Sequence, residues 1–327
     1  MDWFVLMLIA AIGFGITNFL LQMSTVKQYD KYGTVLILSL MHATLSLIAV
    51  IYRGGFRSVL PTLLVMGVVD SFLFFTRTQA MLGSLERGLP MVLVMPVFRC
   101  STALVILYGV MGGQELTAVQ WLGVLLGFAA ALLSVSTHSS AQNAVGAQEQ
   151  NRKRRAQGIT LLMVATMMSA GTVLVGNASV GVHGLDVFEF MLVSQFMTAI
   201  LNATRLATKS TLGTGAIRGW RLGAVAGVAN FASLSLLLQG WKQHPPIAIG
   251  VTLYGLYVVI PVALAAMWYP KTERLTLRRV AAVGLAIIAV LVIEVDGFKR
   301  TSSAAWENPT GPDPLTETTR GGCSHGS

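Results

Sequence analysis

The chain has 327 residues, of which 54% are hydrophobic and only 11% charged, with a formal net charge of +9. A water-facing domain carries roughly 25% charged residues, so composition excludes an ordinary soluble protein and implies an all-α integral membrane protein. The positive balance does not require a nucleic-acid partner, because most basic residues fall in short loops between apolar segments, where they orient a multi-spanning chain.

The first apolar run, MDWFVLMLIAAIGFGITNFLLQM, has no basic residue ahead of it and exceeds twenty residues. It reads as a retained spanning helix rather than a cleaved signal. A span needs about 20 mostly apolar residues. On that basis ten segments are predicted, over 3–23, 33–52, 60–82, 90–112, 119–135, 158–177, 187–207, 222–240, 247–269 and 280–295. The stretch 137–157, which ends in NRKRRAQG, reads as a polar and basic linker, and the tail 298–327 as disordered. The two cysteines, Cys100 and Cys323, supply neither a disulfide framework nor a prenylation site.

Several polar residues lie inside these spans. In helix 1, Asn18 and Gln22 share a face and are candidates either to contact substrate or to bridge to a neighbouring helix. In helix 2, His42 stands alone and is expected to be packed and hydrogen-bonded. Asp70 lies in the middle of GVVDSFLFFTRTQAM, with Arg77 two turns along the same helix and Arg99 at similar depth on the next. A charge in hydrocarbon costs on the order of 3 kcal/mol even on insertion scales. The expectation is therefore that Asp70, Arg77 and Arg99 face a shared wet cavity, where the arginines attract an anionic group and Asp70 balances their charge or takes up a proton. The competing reading is a structural ion pair that locks two helices. Helix 7 carries a stripe of Gln195, Thr198, Asn202 and Arg205, expected to hydrogen-bond between helices. Glu189, near its start, is expected to reach the membrane interface. In helix 9, Tyr254 and Tyr257 are candidate cavity-lining hydroxyls, and Trp268 an interfacial anchor. No His, Cys or carboxylate cluster has metal-ligand spacing, and no cofactor motif is present.

The sequence also repeats itself. Gly67-Val68-Val69-Asp70 matches Gly227-Val228-Ala229-Asn230 at an offset of 160, and Gln79 falls on Gln239. The match sets Asn230 opposite Asp70. Pro96 and Pro261 occupy comparable places in their helices and are candidate hinges. Five helices per half is an odd number, so the halves 1–136 and 158–297 would insert with opposite orientation, as two inverted five-helix repeats.

With Ala80-Met81-Leu82-Gly83, Pro96, Glu115-Leu116-Thr117, Trp121-Leu122-Gly123, Pro261 and Glu273-Arg274-Leu275-Thr276 in that order, residues 1–297 resemble the drug/metabolite transporter superfamily, EamA type. The resemblance implies a ten-helix secondary carrier with a central cavity lined by helices 1, 3, 4, 6, 8 and 9, exporting or exchanging a small polar or anionic metabolite. In one respect the chain departs from the pattern: Gln114 occupies the family's glutamate position, with Glu115 displaced by one.

The functional expectation is a non-ATP carrier, not an enzyme, in a bacterial inner membrane, a plasma membrane or an organelle membrane. Its partners would be a metabolite and the lipid bilayer, with homodimerisation left open. A membrane scaffold and an intramembrane enzyme are the alternatives. Loops 1–2, 3–4, 5–6, 7–8 and 9–10, with Arg205 counted at a helix end, hold 15 basic residues against 6 on the other face. The charge rule thus places both termini outside, whereas the resemblance implies termini in the cytoplasm.

Overall fold

A computed structural model describes residues 3–89, 91–98, 100–111, 145–208, 219–243, 250–251, 257 and 259–268, with short pieces between 117 and 129 and between 280 and 292. The described residues form helices α1 (Trp3–Val26), α2 (Lys31–Tyr52), α3 (Leu60–Glu86), α4 (Met91–Phe98), α5 (Cys100–Met111), α6 (Val145–Gly176), α7 (Val187–Thr208), α8 (Trp220–Trp241) and α9 (Val259–Trp268). Among them, six helices are long and apolar enough to cross a membrane, in α1, α2, α3, α6, α7 and α8. Large apolar side chains such as Ile12, Ile48, Val65, Phe72, Phe196 and Val225 point outward from these helices. An exposed apolar surface of that extent is what a lipid-facing protein presents. The architecture is thus all-helical and fits a multi-pass membrane protein.

The spans expected over 3–23, 33–52, 60–82, 187–207 and 222–240 each coincide with one helix. The span expected over 90–112 is seen as α4 and α5 on either side of Arg99. The span expected over 247–269 is described in part, and its second part is α9; much of the spans over 119–135 and 280–295 lies outside the described residues, as do most of the first-half acidic turn and the tail.

Two boundaries differ from expectation. Helix α6 starts at Val145, well before residue 158, so the basic run Arg152–Arg155 opens a helix instead of ending a linker. Gln, Glu, Lys, Arg and Ala are good helix formers, and a polar run beside a span extends it into water at little cost. At its far end α6 widens into a π-helical segment, Asn177–Val182.

Helices that are neighbours in sequence make less contact than helices from opposite parts of the chain. Helix α1 packs on α8, α3 on α6, α2 on both α7 and α8, and α3 on α7. Small residues allow the close approaches. A Cβ on Gly67 would lie 2.5 Å from Val193 Cγ1 of α7, and one on Gly227 would lie 2.7 Å from the Leu38 carbonyl oxygen of α2. Gly219 and Gly223 continue the α8 stripe at intervals of four, meeting Thr34 side-chain and carbonyl oxygens at 2.5 and 2.6 Å. This spacing puts one small residue per turn on the contact face, as in close-packed membrane helices.

Side chains tie the ends of the helices. Asp30 accepts from the Tyr32 and Gly33 amides at the start of α2, at 2.8 and 3.0 Å. Asp186 does the same for Phe188 and Glu189 at the start of α7, at 2.9 and 3.4 Å. Each is an N-cap that satisfies amides the helix cannot pair. Glu189 was expected at the interface, but it is buried, and its carboxylate accepts from the Arg57 and Ser58 amides just ahead of α3. Arg53 bridges to Asp186 at 3.2 Å and lies over the Phe188 ring. The α2–α3 loop is thereby tied to the start of α7.

Candidate functional site

Asp70 lies in the middle of α3, on the face that packs against α7 and α6, and is only 4% exposed. Gly67, one turn earlier, lets Val193 and Ser194 come close. Ser194 Oγ then donates to Asp70 Oδ2 at 2.6 Å. Arg77 is two turns further along α3, its guanidinium over the Phe74 ring at 4.6 Å and near the Phe98 ring at 5.9 Å. Aromatic faces stabilise a cation there through the ring quadrupole.

Asp70 and Arg77 line one small cavity. It has a volume of about 40 Å³ and is also lined by Phe14 of α1, Thr172 of α6, and Asn230 and Trp241 of α8. A water needs about 10–15 Å³ on this measure, so the chamber holds a few waters and no metabolite. The salt bridges among the described residues are Lys31–Glu86 and Arg53–Asp186. Asp70 and Arg77 therefore share the chamber without forming a direct ion pair.

Across the chamber, Asn230 is 1% exposed, and its Nδ2 lies 2.9 Å from Nδ1 of the fully buried His42. With the amide donating, Nδ1 is the acceptor and Nε2 carries the proton; Nε2 has no partner. Asp70 and Asn230 are separated by the 160-residue offset of the repeat, and their partners His42 and Ser194 by 152. The packing is reciprocal: α3 meets α7 at the first bridge and α8 meets α2 at the second.

The structure thus places Asp70, Arg77 and Asn230 around one cavity. Arg99 and Tyr254 lie outside the described residues. Asn18 does not reach the chamber; its Nδ2 donates to the Phe14 carbonyl of its own helix at 2.9 Å. Tyr257 is buried against α1, where its carbonyl oxygen lies 2.9 Å from the place a Gly15 Cβ would take. Pro96 falls within α4, and Pro261 is buried within α9. Trp268 is largely exposed and packs on Phe19 at 5.9 Å.

His42 is packed and hydrogen-bonded, as expected of it. Of the α7 stripe, Asn202 accepts from Gln79 at 2.8 Å and Thr198 reaches the Ser71 carbonyl at 3.5 Å. Gln195 has no partner for either amide atom. Ser194 was missed by the sequence reading. The one signal available was its place beside Gln195, since a serine in a span is ordinarily satisfied by its own helix.

No protein-family model and no curated protein matches this chain. Solved structures do match in fold, 28 chains in all. One, described only as a crystal structure of a protein, superposes with a TM-score of 0.61 at 14% identity. The alignment covers 89% of this chain and 98% of that one. At such low identity the likeness concerns the fold.

Proposed function

We propose that the chain is a secondary carrier that moves a small polar or anionic metabolite by alternating access, without ATP, through two inverted five-helix repeats of the drug/metabolite transporter type. The observation that carries this reading is the chamber: a buried aspartate and a half-buried arginine two turns apart on α3, and a buried asparagine on α8, around space for water. Buried ionisable groups in spans mark pathways for substrates or protons. Reciprocal packing of α1 on α8 and α3 on α6 supports a two-fold relation that exchanges the two parts of the chain. At about 40 Å³ the chamber is too small for a metabolite, which on this reading is a narrowed conformer that widens when the α1–α8 and α3–α6 pairs separate. Arg77 supplies the anion-attracting charge and Asp70 the exchangeable proton.

The test is uptake into vesicles reconstituted with purified protein. Asp70→Asn is expected to abolish uptake driven by a pH gradient and to leave counterflow exchange intact. Undiminished pH-driven uptake removes Asp70 from the mechanism. The small size of the chamber favours a second reading, a membrane scaffold in which Asp70 and Ser194 only fasten α3 to α7. On that reading, neither the wild type nor the variant moves any metabolite.

A further inference from the structure

The two ends of the helical bundle carry charge differently. Where α3 and α7 open, Arg53 is bridged to Asp186, and the Glu189 carboxylate is met by two backbone amides. At the other end, α6 carries the run Arg152-Lys153-Arg154-Arg155, with Glu149 one turn ahead of it. Gln157 accepts from Arg87 Nε at 3.3 Å, which sets that run beside the close of α3. Glu86 at that close is already bridged to Lys31 at 2.7 Å. Positive charge is therefore in excess at this corner among the described residues.

Helical register sets the run at the head of an outward apolar strip. Ile159, Met163 and Met167 of α6 are 40%, 54% and 62% exposed. At about 100° per residue, Ile159 and Met167 lie about 40° to either side of Met163, so the three form one face. Projected the same way, Ala156 falls about 20° from Met163, and Lys153 and Arg155 about 80° from it on opposite flanks. Lys153 and Ala156 are exposed, and Arg155 is half-buried. Two cations thus bracket a small residue, which leaves a notch between them above the strip. Arg154 projects to the far side of α6 and adds charge without facing the strip.

The depths match those of a bilayer. From Ile159 to Met167 the helix rises about 12 Å, close to the roughly 15 Å of one acyl leaflet. Lys153 and Arg155 lie about 6–9 Å further out, at a headgroup layer about 5–8 Å deep that long basic side chains can span. A free anion or a nucleic acid would use the cations and leave the strip idle. We propose that this corner of α6 binds an anionic glycerophospholipid, with its phosphate between Lys153 and Arg155 over Ala156 and an acyl chain along Ile159, Met163 and Met167. Each Lys or Arg at an anionic lipid surface strengthens attachment about fivefold. The inference stands apart from the carrier reading, because the lipid is bound whether or not the chain transports anything.

The test uses the full chain, delipidated in neutral detergent and titrated with phosphatidylglycerol or phosphatidylcholine of matched acyl chains. Bound lipids are counted by native mass spectrometry. Wild type is expected to retain one phosphatidylglycerol at least tenfold more tightly than phosphatidylcholine. The double variant Lys153→Gln/Arg155→Gln should lose that preference, and Arg53→Gln at the opposite end should keep it. Met163→Gln should weaken the lipid severalfold and leave the binding of glycerol phosphate unchanged, since it alters only the strip. In phosphatidylcholine nanodiscs the variants should melt as wild type does, and added phosphatidylglycerol should raise the melting temperature of wild type but not of the double variant. If the double variant does not fold, Ala156→Leu fills the notch on an exposed face and should weaken phosphatidylglycerol in its place. The proposal is overturned if the two lipids bind alike, or if the folded notch variants keep the preference. It is also overturned if glycerol phosphate binds as tightly as the lipid, which would mark a simple anion site. Failure of metabolite uptake with phosphatidylglycerol still bound overturns the carrier alone.

Discussion

The bridge between Asp70 and Ser194 and the bridge between Asn230 and His42 stand on opposite walls of one chamber. Their helices pack reciprocally, and their residues sit at near-constant offsets. The chemistry is nevertheless different. One bridge holds a carboxyl group that can carry a negative charge; the other holds an amide and an imidazole. The glycines beneath them differ as well. Gly67 faces the side chain of Val193, whereas Gly227 faces the backbone of α2. Helical scaffolding has thus been kept alike on both sides while the group exposed to the chamber has diverged. A carrier needs that asymmetry if only one wall is to handle a proton.

The largest expected effect tests the scaffolding. Gly67→Ala and Gly227→Ala should each destabilise by about 1–3 kcal/mol through overpacking, read as loss of thermal stability in detergent. The two should then respond differently to a second change. Val193→Ala removes the methyl 2.5 Å from the new Cβ and should recover part of the loss at Gly67. No side-chain truncation can move the Leu38 carbonyl oxygen, so Gly227→Ala should stay unrescued by Met41→Ala. Equal rescue would mean that the two seams are mechanically equivalent.

Next in size are the bridges themselves. A double-mutant cycle on Asp70 and Ser194 should give a coupling of about 1.5–3 kcal/mol if the carboxylate is charged, against about 1 kcal/mol for Asn230 and His42. Equal couplings would mean that Asp70 is neutral in this conformer and would erase the chemical contrast. The smallest effect concerns the loop tie. Arg53 is half exposed, so Arg53→Ala should cost only about 0.5 kcal/mol, less at high salt. A loss several times larger would show that the α2–α3 loop and the start of α7 move as one body.

Much of this was legible in the sequence, for identifiable reasons. Apolar length alone located α1, α2, α3, α7 and α8 to within a few residues, because nothing else can fill a bilayer. Asn230 could be set opposite Asp70 because the glycine that admits a neighbouring helix, three residues earlier, is repeated with it. Other features were hidden by distance. Ser194 is 124 residues from Asp70, and periodicity tells which residues share a face but not which helix covers it. Asn18 shows the same limit from the other side: an asparagine suited to a cavity instead bonds to its own helix. Glu189 looked peripheral because it starts a span, and only the fold brings the α2–α3 loop amides to its carboxylate. The early start of α6 was missed because a charged run was taken as the end of helical structure, although its residue types favour helix.

The pairing of α1 with α8 also has a consequence for how the molecule is made. A ribosome delivers α1 roughly 200 residues before the helix that covers its small-residue face, a delay of about 10–40 s at 5–20 residues per second. Through that interval Gly13 lacks the Ser233 side chain it packs against, so insertion factors or lipid must shelter that face. Errors in biogenesis should therefore concentrate on α1, which waits longest for its mate among the described helix pairs.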